Sequence, residues 1–140
     1  MRRIGFLILL AVLSFRASSQ ESKMYDKSEV DPRIVEVFGD QLEKMVLSDT
    51  DRLKGLNLLL EKRVKILIEP YSTNEQYPKL SEFPLFDVYN KELKRDEFFD
   101  INNFNILKYN LIFFSDQKQM YYRIDNTDYL IKILPQNLKE

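Results

Sequence analysis

Between Tyr109 and Leu134 the apolar residues alternate in a way that restricts the chain to one strand register. If Ser115 to Lys118 is a four-residue turn, Phe113 faces Met120, Leu111 faces Tyr122 and Tyr109 faces Ile124 across an antiparallel pair. If Asn126-Thr127 is the next turn, Ile124 faces Tyr129, Tyr122 faces Ile131 and Met120 faces Ile133. The two turns are independent, yet both send the same nine apolar or aromatic residues to one face. A slip of one residue would turn that set to solvent, so the pattern predicts a three-stranded meander. Thr127 departs from it in turn chemistry, because the second position of such a turn favours Gly.

The opposite face of the meander carries Lys108, Asn110, Ile112, Phe114, Gln119, Tyr121, Arg123, Leu130, Lys132 and Leu134. A solvated face is mostly polar, whereas this one is half apolar. Either residues 70 to 107 cover it or a partner does.

Upstream, the pattern turns helical. Asp31-Pro32 places a capping residue before a proline, and Ile34, Phe38, Leu42, Met45 and Val46 recur at helical spacing, which predicts a helix over 32–47. Gly39 within it costs about 1 kcal/mol relative to Ala and marks a close approach by another element. Ser48-Asp49-Thr50-Asp51 starts a second helix carrying Leu53, Leu56, Leu59 and Leu60, so the pair forms a short-looped hairpin. Val64 to Glu69 then reads as a strand stopped by Pro70. Residues 70 to 107, with Pro70, Pro78 and Pro84 among many aromatics, read as loops and short turns. The expected fold is α+β: an N-terminal helical hairpin packed on an antiparallel sheet with a C-terminal three-stranded meander.

The first residues stand apart. Met1-Arg2-Arg3, an apolar run from Ile4 to Phe15 and then Ala17-Ser18-Ser19 follow the order of a secretory signal, with cleavage expected after Ser19. The run falls short of the roughly 20 residues that span a membrane, so no permanent anchor is expected. The expected organisation is a signal peptide at 1–19, a flexible mature N-terminus at 20–30 and a single domain at 31–140, secreted or periplasmic.

Function is bounded first by what the chain lacks. It contains no His and no Cys, which removes His-assisted nucleophiles, thiolate chemistry, the usual structural zinc sites and disulfides. Three Gly, at positions 5, 39 and 55, cannot build a phosphate loop or a dinucleotide fingerprint. No cofactor is expected. Without residues 1–19 the chain holds 18 basic and 22 acidic residues, and its densest basic run, Lys91 to Arg95, is interrupted by Glu92, so no nucleic-acid partner is expected. The acidic groups Asp49 with Asp51, Asp96 with Glu97 and Asp100, and Asp125 with Asp128 lack calcium-loop spacing and read as caps and turns rather than metal ligands.

What remains is recognition. Tyr71, Tyr77 and Tyr89 in the aromatic middle segment, together with Phe114 and Tyr121 on the second sheet face, are the candidate binding residues. The expected function is an exported, non-catalytic binding or accessory domain whose partner is an envelope protein, peptide or glycan. The alternative is a small secreted hydrolase working with two paired carboxylates, which needs only an acid and a base or nucleophile.

Overall fold

The first helix begins where the sequence places it. Asp31 accepts a hydrogen bond from the Arg33 backbone N–H at 2.9 Å and pairs with the Arg33 guanidinium at 2.7 Å, and Pro32 opens α1, Pro32–Phe38. A single helix to residue 47 does not form. Gly39 takes φ +48° and ψ −129°, a conformation that side-chain-bearing residues rarely adopt, and the chain goes on through a 3₁₀ turn, Gly39–Gln41, and a wider π-type turn, Glu43–Leu47. The close approach expected at Gly39 is made by Asn90. Its side-chain amide donates to the Glu36 carbonyl at 2.7 Å, and a Cβ on Gly39 would stand 3.4 Å from Asn90 Cγ.

This computed structural model describes residues 25–137, without the side chains of Tyr71 and Asn74. The expected leader, its cut after Ser19 and residues 20–24 lie outside the described residues. The described chain enters the core at Val30, just before α1.

The second helix, α2, Thr50–Leu58, is capped by Asp49, whose carboxylate accepts from the Asp51 and Arg52 backbone N–H groups at 3.1 and 3.2 Å. It runs on through a π-type turn, Leu59–Arg63, into β1, Val64–Ile68. The wider turn lets Leu59, Leu60 and Arg63 all point inward beside Leu53 and Leu56. A one-turn helix, α3, Tyr71–Asn74, follows Pro70, and only short turns occur from there to residue 108.

Two strands of the expected meander are present, β2, Met120–Arg123, and β3, Tyr129–Ile133, in the expected register: Met120 opposite Ile133 and Tyr122 opposite Ile131. Asn126 supplies the left-handed residue of their turn with φ +56°. The third strand is β1 rather than residues 109–114. It lies on the other side of β3, with Val64 opposite Ile133 and Ile66 opposite Ile131, giving the antiparallel order β1-β3-β2. The reason is competition for backbone partners. Lys108 and Asn110 bond instead to Phe86 and Pro84, Leu111 N–H folds back onto the Tyr109 carbonyl at 2.9 Å, and the outer side of β2 is met by Pro78, which accepts from Arg123 N–H at 3.0 Å. Alternation survives in burial all the same: Tyr109 and Leu111 are buried, while Ile112 and Phe114 are 56% and 51% exposed.

The architecture is thus α+β, two helices and a three-stranded antiparallel sheet around one core of Ile34, Val37, Phe38, Leu42, Val46, Leu59, Ile106, Tyr122, Ile131 and Ile133. The second sheet face is partly covered from within, since Tyr77 stacks on Tyr121 at 4.9 Å and Leu130 is buried there. Among the described residues no helix is long and apolar enough to cross a membrane.

Gly39→Ala should destabilise the protein by about 1–3 kcal/mol, because a residue with a Cβ is strained at φ +48°. Urea unfolding of the variant beside Asn90→Ala checks this, and equal stability of Gly39→Ala and the parent would contradict it.

Candidate functional site

An opening of about 470 Å³ lies between the helical hairpin and residues 107–114. One wall is Val37 and Phe38 of α1 with Arg52, Gly55 and Leu56 of α2, and the other is Leu107, Tyr109, Asn110 and Leu111 with Phe113 and Phe114. Gly55 leaves a gap in the helix wall, since a Cβ there would meet nothing within 4 Å. Phe86 closes the floor, and its ring meets Tyr89 edge-on at 5.6 Å.

The cation of this groove is Arg52. Its guanidinium sits 5.6 Å from the Phe38 ring and 5.9 Å from the Tyr89 ring, which themselves stack at 5.1 Å. Contact with the rings orients the guanidinium, and Arg52 is exposed where it lines the opening. Asp51 stands at the rim, fully in solvent and 3.9 Å from Lys54.

The outer wall lies outside the sheet, and besides its backbone bonds to residues 84–86 side chains hold it. Arg63, 4% exposed, donates through Nε and Nη2 to the Leu134 carbonyl at 3.1 and 2.9 Å and through Nη2 to the Phe113 carbonyl. Its burial lowers the guanidinium pKa, and its plane lies 5.6 Å from the Phe114 ring. Gln136 donates to the Phe114 carbonyl at 2.9 Å and to Asp116 at 3.2 Å. The other end of the wall is tied to α1. Asn105 donates to the Arg33 carbonyl at 2.9 Å and to Glu36 at 2.8 Å, and buried Lys108 bridges Asp96 at 2.5 Å and Glu36 at 3.4 Å.

The candidate residues do not form one surface. Tyr89 and Phe114 belong to this groove, Phe114 as lining and Tyr89 behind Phe38 and Phe86. Tyr77 and Tyr121 stack together on the second sheet face, with Lys132 Nζ 5.8 Å from the Tyr121 ring and the Tyr121 hydroxyl donating to Gln119 at 2.8 Å. The Tyr71 side chain lies outside the described residues. Sequence reading did not single out Phe38, Arg52 or Gly55 as site residues. Phe38 was legible as core, whereas Arg52 and Gly55 are off the apolar stripe of their helix, where spacing carries no signal.

The carboxylates are largely engaged in structure. A smaller cavity of about 230 Å³ is lined by Asp96, Glu97 and Asp125, but Asp96 pairs with Lys108, and Asp125 accepts from the Ser81 hydroxyl at 2.6 Å and its backbone N–H at 3.1 Å. Hydrogen bonds lower Asp100 through Asn102 and Asn103, and lower Asp31 through Arg33, the direction opposite to that of a general acid. Among the described residues no group of three or more acidic side chains gathers as a metal site requires. Comparison with protein-family models, curated proteins and solved structures found no match.

Three groups around the wall hold their protons more tightly when folded. Burial alone would lower Lys108, but the hydrogen bond and charge of Asp96, with the charge of Glu36, raise it above its ordinary 10.5. Burial raises Tyr109 and Tyr122 above 10.0, with the Asp96 charge adding to Tyr109. All three are raised, so their contribution is fully present below about pH 10 and is lost as pH rises through the folded-state values. The melting temperature should therefore fall above about pH 10 together with the appearance of tyrosinate absorbance. Lys108→Met should flatten that fall, and a melting temperature indifferent to alkali would refute the assignment.

Proposed function

We propose that the protein is an exported, non-catalytic recognition domain, and that the groove beside the hairpin takes a peptide segment of an envelope or extracellular protein. The observation that supports this is the pairing of an aromatic floor with one ring-mounted cation, Arg52, among the lining residues of the opening. Such a groove suits an apolar side chain next to a carboxylate, either an acidic residue or a chain terminus. A glycan fits it less well, because the polar groups on the lining are few beside the apolar ones. Export rests on the leader-like N-terminus and is tested by the mass of the protein recovered from outside the cytoplasm. The hydrolase alternative has its nearest acids in the smaller cavity, where Asp96 and Asp125 are already bound to Lys108 and Ser81.

Two variants separate binding from folding. Gly55→Leu should fill the groove while leaving the helix intact or firmer by about 0.5–1 kcal/mol, because the added side chain enters open space. Arg52→Gln removes only the cation. Peptides carrying an apolar residue next to a carboxylate, titrated with calorimetry beside their amide counterparts, should bind the parent below millimolar, lose at least about tenfold on Arg52→Gln, and not bind Gly55→Leu. If no peptide binds the parent, or both variants bind as the parent does, the groove is not the recognition site.

A further inference from the structure

Strand β1 is at the edge of the sheet, and its ladder bonds show which backbone groups face away. Leu134 N–H donates to the Arg63 carbonyl at 2.9 Å and Glu69 N–H to the Asp128 carbonyl at 2.7 Å. Arg63, Lys65, Leu67 and Glu69 therefore turn their backbones toward β3, and Val64, Ile66 and Ile68 turn theirs outward. Among the described residues, the one backbone bond on that outer side is Val64 N–H to the Leu59 carbonyl. Ile66 and Ile68 present both N–H and C=O, and the Ile68 side chain is 76% exposed.

We propose that this edge pairs with the same edge of a second copy of the chain, antiparallel about a two-fold axis at Leu67. In that register Ile66 stands opposite Ile68 of the other copy, and four main-chain bonds form, two at each such pair. Val64, whose N–H is already bonded to Leu59, falls opposite Pro70, which has no N–H, so the ladder ends where neither side can continue it. Lys65 falls opposite Glu69, twice over by symmetry, and Leu67 meets its own counterpart. A two-fold centred one residue earlier would place Lys65 against Leu67, and one centred on Lys65 would oppose two lysines. Self-complementarity thus selects both the occupant and the register. Growth stops at two copies because the outer side of β2 is met at Arg123 by Pro78. None of the groove-lining residues belongs to β1, so this inference and the binding reading fail separately.

The test is sedimentation equilibrium of the protein expressed from Met1, over a wide concentration range, with amide hydrogen exchange at both ends of that range. The expected result is a reversible dimer in which the Ile66 and Ile68 amides are protected at high concentration and exchange freely on dilution, while Lys65 and Leu67 stay protected throughout. Lys65→Glu, at an exposed position, should weaken association at least about tenfold, and Lys65→Glu combined with Glu69→Lys should restore it. A monomer at every concentration overturns the proposal, as does a dimer whose Ile66 and Ile68 amides still exchange freely. Protection of those amides at every dilution would show the edge covered within one chain, which overturns it equally. A dimer unaffected by Lys65→Glu excludes this register.

Discussion

The buried guanidinium of Arg63 ties together three parts of the chain, adding to the backbone bonds that Leu134 makes to Arg63 and Gln136 to Ser115. It sits at the end of the second helix, bonds the carbonyl that follows β3, and holds the Phe113 carbonyl at the end of the groove wall. Taking a cation out of water is costly, and burial lowers its pKa. The cost is offset because its partners are main-chain carbonyls that would otherwise have no donor, and a charged donor strengthens each bond. A hydrophobic residue of similar size would fill the space and leave the Phe113 and Leu134 carbonyls unsatisfied, so this charge is set by the backbone around it and not by an acidic partner.

The same logic operates at the other end of the wall. Asn105 and Lys108 use the two carboxylate oxygens of Glu36 on α1, and Asp96 completes the neutralisation of Lys108. Residues 109–114 are therefore anchored to the hairpin at one end and to β3 at the other, with a tight turn at Asn110 between. Between those ends the segment bonds residues 84–86, and the Ile112 N–H donates to the Tyr122 hydroxyl at 3.3 Å, so it stays extended without joining the sheet. That is what keeps a space open between it and the helices instead of a continuous packed layer.

This explains which parts of the fold the sequence makes legible. The β2–β3 register is readable because the side-chain period is two and a slipped pairing would expose Met120, Tyr122, Ile131 and Ile133 together. Alternation at Tyr109, Leu111 and Phe113 is equally real, but it reports which side chains face the core and not which backbone lies alongside. Residues 84–86 win that partnership, and nothing in a period of two distinguishes them from β2. The helix over 32–47 is continuous by apolar spacing because spacing does not see φ, and Gly39 breaks it for a backbone reason. Tyr77, Tyr89 and Tyr121 stand out as aromatics in sequence, yet their rings are spent against Tyr121, Phe38 and Tyr77 respectively, since a half-buried ring packs on the nearest ring it can reach.

The two described glycines show where the fold bends to its own needs and where it does not. Gly39 is required by its backbone, since φ +48° is a conformation that residues with a side chain rarely adopt. Gly55 is not required by anything in the fold: it lies within α2, and a Cβ there would enter empty space. A helix interior loses roughly 0.5–1 kcal/mol by carrying Gly in place of Ala, and packing returns none of it here. What the missing side chain does is keep the groove wide beside Arg52, whose guanidinium is held over two rings. Local stability is given up at a helical position that faces the opening, while Ile112 and Phe114 remain half exposed on or beside the opposite wall. Both features work against a closed core and both favour an accessible apolar cleft, which is why the groove rather than the acidic cavity carries the functional reading.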